Sequence, residues 1–180
     1  MRNVGTMIAI AAVTATLAWA QARPDFSGTW TLDLSKSEMG VGPGGGGPGG
    51  GRPGGGGPGG GSGRAQGFPA DARFVVKQTA SELLIDQQVG GNSNVSTFKL
   101  DGSESVNSGM RGGQVKSKAR WDGDKLVIES TQTMTGGGGE MTIDSKEIRS
   151  LAADGTMVVE RTTTTPRGVR TQKLIFKRTT

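Results

Sequence analysis

The chain of 180 residues has no histidine, no cysteine and no tyrosine. A Ser-His-Asp triad, a cysteine nucleophile, a zinc finger and a redox CxxC pair are therefore excluded. Acid–base chemistry is left to carboxylates and lysines, so the sequence predicts a binding or interaction protein and not an enzyme, with no catalytic residue, no cofactor and no metal site. Charge of one sign is in short supply too. With 21 Lys and Arg against 16 Asp and Glu, the net charge of +5 is slight and scattered, which argues against a nucleic-acid partner. Long apolar runs are missing except at the start. Met7 to Trp19 is apolar, Arg2 precedes it, and Ala18, Ala20 and Ala22 follow in A-x-A spacing. A membrane span needs roughly 20 apolar residues, so residues 1–22 read as a cleavable signal peptide. The mature chain is expected to begin near Gln21 or Arg23, in the periplasm or secreted, with no integral membrane segment after cleavage. No cysteine follows the apolar run to carry a lipid. Without disulfides, an exported fold must hold by its core alone.

Glycine is abundant but concentrated. Gly42 to Gly61 is one ten-residue unit written twice, differing only at Gly42 and Arg52. Across 39–67 the composition falls to Gly and Pro, which bury too little apolar surface to offset the entropy of ordering, so this stretch is expected to be a disordered insertion. No Lys-Ser/Thr follows it, which removes a phosphate-cradling role.

Outside these segments residues alternate with period two. In "FSGTWTLDL", Phe26, Gly28, Trp30, Leu32 and Leu34 share one side and polar residues the other. From Phe74 onward eight further strands recur, with a weak one around Glu104 to Val106. Asp101-Gly102, Asp122-Gly123 and Asp154-Gly155 are hairpin signals. A two-residue Asp122-Gly123 loop would set Ala119 opposite Leu126 and Ser117 opposite Ile128, with Val115 and Trp121 in the same inward phase. Residues 23–180 are thus predicted to form one all-β domain, an antiparallel meander of about 8 to 10 strands closing into a barrel, with the Gly/Pro-rich loop between its first and second strands.

Gly28-Thr29-Trp30 on the first strand, followed by a long connection and a meander, resembles the calycins, the lipocalin-like β-barrels. "FSGTWTLDLSKS", "LDGSES", "ARWDGDKLVI", "LAADGTMVVERT" and "KLIFKR" are similar to a group of small exported bacterial proteins. The resemblance implies that Trp30 packs at the closed barrel end, that an Arg from a late strand, here Arg178, covers it, and that the connection after the first strand crosses the open mouth.

Several groups could carry chemistry. Asp122 and Asp124 sit in a turn, and Asn92, Ser93 and Asn94 after Gly90-Gly91 read as turn formers. Glu147 is in phase with Met141, Ile143 and Leu151, and Arg161 with Met157 and Val159. A three-residue loop Ala153-Asp154-Gly155 places Glu147 opposite Arg161; a two-residue loop pairs Arg149 with Glu160 instead, and both remain open. Facing inward, Glu147 and Arg161 would be a polar centre in an apolar lining, able to orient a ligand. Small residues at Ser117, Ala119, Ser130 and Ser145 would leave room for a small, largely apolar ligand. The alternative is an envelope-associated interaction protein whose barrel is filled and whose basic outer rows, Lys116, Lys118, Arg120, Lys125, Lys173 and Lys177, meet an anionic surface. Deleting Gly42 to Gly61 is expected to leave cooperative unfolding intact and the midpoint shifted by no more than a few degrees, because closure entropy varies slowly with loop length. Loss of cooperativity in a thermal melt would contradict this.

Overall fold

The computed structural model describes residues 23–40, 72–109, 113–136 and 139–179. They form ten strands: β1 (Gly28–Leu32), β2 (Arg73–Gln78), β3 (Glu82–Val89), β4 (Asn92–Lys99), β5 (Asp101–Ser108), β6 (Gln114–Asp122), β7 (Lys125–Gly136), β8 (Gly139–Leu151), β9 (Met157–Thr165) and β10 (Gly168–Thr179). One antiparallel sheet runs β4-β3-β2-β1-β10-β9-β8-β7-β6-β5 and curls into a nearly closed barrel. The described residues include no helix long and apolar enough to cross a membrane. The expected signal peptide, 1–22, lies outside the described residues. So does the Gly/Pro-rich stretch apart from Met39 and Gly40, which are held: Met39 packs on the core and its carbonyl accepts both Nε (3.1 Å) and Nη2 (2.7 Å) of Arg170.

The alternation puts every second residue inside. At one end these residues make a dense core of Trp30, Leu32, Phe74, Val76, Leu83, Ile85, Leu126, Met157, Val159, Leu174 and Phe176. Phe26, wholly buried, seals that end. Gln78 staples the chain there, accepting from the Phe26 amide at 3.0 Å and donating to the Pro24 carbonyl at 2.9 Å. Trp30 is fully buried and donates its indole N–H to the Phe26 carbonyl at 2.9 Å. Arg178 lies over the Trp30 ring at 4.7 Å from its centroid, the cation–π contact that the resemblance implied. Gly28 lies beneath it at φ 132°, a backbone conformation in which a side chain is strained. Trp121, half-buried, stacks on Phe26 at 6.0 Å with Arg23 on its ring.

Three sequence expectations are corrected. The β6–β7 turn places Asp122 opposite Lys125, so Gly123-Asp124 is the loop, with Gly123 at φ 61°. Ala119 faces Ile128 and Ser117 faces Ser130, two residues from the expected register; the slip is even, so every side chain keeps its face. Asp101-Gly102 is not a hairpin. Only Leu100 separates β4 from β5, too little for a two-residue loop. The chain instead turns a corner with Gly102 at φ 85° and a bulge between Asp101 and Glu104, so β4 and β5 become the two sheet edges. Finally Leu34 is exposed, because the first strand stops at Leu32 and Asp33 leads the chain into a turn. That carboxylate accepts the Ser35 amide (3.1 Å) and hydroxyl (2.6 Å) in a local turn and meets Lys177 at 2.6 Å, which with Ser35 holds its pKa down at about 2.

The two edges are joined by side chains. Asn107 on β5 accepts the Thr97 amide at 2.8 Å and donates to the Thr97 carbonyl at 3.0 Å, imitating a peptide group. Ser105 accepts the Lys99 amide at 2.9 Å. Trp30→Ala is expected to cost about 3–5 kcal/mol, the range for a buried aromatic, and Trp121→Ala distinctly less, since that ring is partly in water. Urea unfolding of the two variants checks this; the reverse ranking would refute the assignment of Trp30 as the keystone of the closed end.

Candidate functional site

Directly opposed residues on neighbouring strands stack into inward rows. Beyond the apolar core the first row is Ala119, Ile128, Glu147, Arg161 and Gln172. The next is Ser105, Ser117, Ser130, Ser145 and Thr163, and above it stand Asn107, Val115, Gln132 and Ile143. Across from these, β3 and β4 present Gln87, Val89, Asn92, Asn94, Ser96 and Phe98. A cavity of about 700 Å³ lies between the two walls, and a second of about 120 Å³ adjoins it toward the core, reaching Phe74, Ile85, Ile128 and Arg149. The rows exist because Ser and Thr are small enough to leave the bore open where Leu and Phe fill the closed end.

The β8–β9 loop is the three-residue Ala153-Asp154-Gly155, with Gly155 at φ 79° and the Ala152 amide bonded to the Thr156 carbonyl at 2.9 Å. Glu147 accordingly faces Arg161. Arg161 Nε donates to Glu147 Oε1 at 2.7 Å and its Nη2 contacts the same oxygen, while Arg149 Nη2 donates to Oε2 at 2.6 Å. Arg149, expected at most as a partner of Glu160, faces Val159 across the ladder and is the second cation on Glu147. Burial alone raises the Glu147 carboxyl; the Arg161 and Arg149 guanidiniums outweigh it and hold the group down at about 2. One carboxylate between two guanidiniums leaves the interior with a net positive charge.

The setting of this cluster differs from the apolar lining expected, since most neighbours are hydroxyls and amides. Asn92 and Asn94 are strand residues at the cavity and not turn formers, because Gly90 and Gly91, at φ 54° and 83°, make the turn by themselves. Ser117, Ser130 and Ser145 do line the interior, and Ser117 and Ser130 share a hydrogen bond of 2.8 Å. The outer rows carry both signs: Lys116 lies 3.9 Å from Glu104, Arg120 2.9 Å and Lys146 3.7 Å from Glu129. Among the described residues no group of three or more acidic side chains comes together as a metal site.

No protein-family model matches the chain, and no curated protein matches it in sequence. Solved structures do. Zebrafish ileal bile acid-binding protein complexed with cholic acid superposes with a TM-score of 0.52 at 14% identity, over 86% of this chain and 98% of that one. The fold is that of the calycins. The REP1-NXSQ fatty acid transporter (17% identity) and a variant of the fluorescent protein UnaG (19% identity) each match at a TM-score of 0.49 over 86% of this chain and 96% of theirs. At these identities the likeness is one of fold.

Removing Glu147 takes the shared carboxylate from two guanidiniums, so Glu147→Leu is expected to destabilise by about 3–5 kcal/mol. Arg161→Met is expected to cost less, because Arg149 still holds the carboxylate. Replacing all three together (Glu147→Leu, Arg149→Met, Arg161→Met) should recover much of the loss. The folded pKa of about 2 lies below the unfolded value of about 4.3, so this stabilisation is complete above pH ~5 and lost as pH falls toward 2. Denaturant unfolding across that window should show a slope that Glu147→Gln flattens. A Glu147→Leu variant within about 0.5 kcal/mol of wild type would put the cluster in water.

Proposed function

We propose that this chain is an exported binding protein that takes one small amphipathic molecule into the open half of its barrel. The cavity carries the argument: at about 700 Å³ it falls within the roughly 300–1,000 Å³ of small-molecule sites, and it is lined by polar groups converging on the Glu147–Arg161–Arg149 cluster. Val89, Phe98, Val115 and Ile143 supply apolar surface for the ligand's skeleton. The zebrafish protein of like fold is complexed with cholic acid, an apolar skeleton with hydroxyls and a carboxylate, which supports a ligand of this amphipathic kind. The alternative of a barrel packed solid with side chains is disfavoured by the open bore, and a purely basic docking face by the outer ion pairs. Export rests on residues 1–22 alone, and the site of action follows from it.

Native mass spectrometry of the mature protein, purified from the exported fraction of its own host, is expected to show a bound mass in the small-molecule range that leaves on denaturation. A bare mass, together with no binding of an amphipathic fluorescent probe such as anilinonaphthalene sulfonate, would overturn the proposal.

A further inference from the structure

Resting on that interior site, we propose that its ligand is a compact polyhydroxylated molecule, read by a row of side-chain hydroxyls around the cavity wall. Ser117, Ser130, Ser145 and Thr163 stand directly opposite one another in sequence across β6, β7, β8 and β9, and all four line the cavity. With strands 4.7–4.9 Å apart, the row spans roughly 14 Å along the wall. The rows on either side are mixed, with Val115 and Ile143 above and Ala119 and Ile128 below. A run of one functional group confined to one level is what a ligand bearing several like groups requires.

A second observation points the same way. Gln132 Nε2, one level above the row, and Arg149 Nε, below it on a side chain about nine-tenths buried and bound to Glu147 through Nη2, are both buried without a hydrogen-bond partner among the described residues. Both are donors, and they bracket the row along the barrel axis. An acceptor for each can come from water or a ligand. An alkyl chain brings none and leaves both dry. A hydroxyl accepts from these donors, and it also exchanges hydrogen bonds with Ser and Thr, which donate and accept in turn. The Glu147 carboxylate is already shared by two guanidiniums, so hydroxyl recognition falls to the row above it.

Binding of cholate, with three hydroxyls, and lithocholate, with one, by calorimetry to the mature protein tests this, since the two share skeleton and carboxylate. Cholate is expected to bind about tenfold tighter or better, against the order set by hydrophobicity, because each matched hydroxyl contributes roughly two- to tenfold. Ser145→Ala and Thr163→Val should each narrow that ratio at least about threefold with the unfolding midpoint held, and Ser145→Thr should keep it. Equal affinities or a lithocholate preference would overturn hydroxyl reading and leave interior binding standing. If neither compound binds at millimolar concentration, the interior site falls, and this inference with it.

Discussion

Direct opposition of residues across neighbouring strands is the constraint on which the rest of this barrel depends. Because antiparallel partners share a face and side chains alternate strictly, the identity of one residue per strand decides the chemistry of a whole level of the interior. From β6 through β9 the register is unbroken, and it sorts the bore into an apolar floor, a level holding Glu147 and Arg161, a level of hydroxyls and a mixed upper rim. A slip of one residue on any of these strands would turn its contribution to every level out into water. The hairpins guard against this with tight loops, among them Gly90-Gly91 and Gly123-Asp124, whose positive-φ glycines leave little freedom in length.

Much of this was legible in the chain. Alternation in "FSGTWTLDL" and in the segments after Phe74 revealed the strand class, and Gly28-Thr29-Trp30 revealed the closed end down to the covering Arg178. Glu147 and Arg161 were visible as charges in an apolar phase, their pairing conditional on the length of one loop. What escaped has physical causes. Even slips such as that at Asp122 preserve the pattern, so patterning cannot detect them. Asn94 and Ser96 face a polar cavity, and a strand lining such a cavity inside a barrel alternates no differently from one facing water outside. Arg149 lies two residues from Glu147 on one strand, a same-face contact that cross-strand reasoning does not look for. That β4 and β5 part company followed from a one-residue connection which resembled a turn.

The charge inside the barrel is self-contained. Glu147 holds two guanidiniums in a largely buried setting, and they in turn keep it ionised despite burial. A buried ion cluster of this kind adds little net stability compared with an apolar replacement of the same volume. Its cost is offset elsewhere, in the packing of Trp30, Phe26, Phe74 and Phe176 at the closed end, where Phe74 and Phe176 meet edge to face at 5.1 Å. The packed end and the proposed binding site are thus separated along the barrel axis.

The join between β4 and β5 works like the buckle of a belt. Elsewhere the circumference of the barrel is dictated by the spacing of backbone ladders, which no substitution can alter, but here it is set by the reach of two side chains, Asn107 and Ser105. The girth of the bore is therefore a property of residue choice at two positions. Longer or shorter side chains there would let out or take in the wall while every ladder stayed whole, a way for one fold to be refitted to contents of different width.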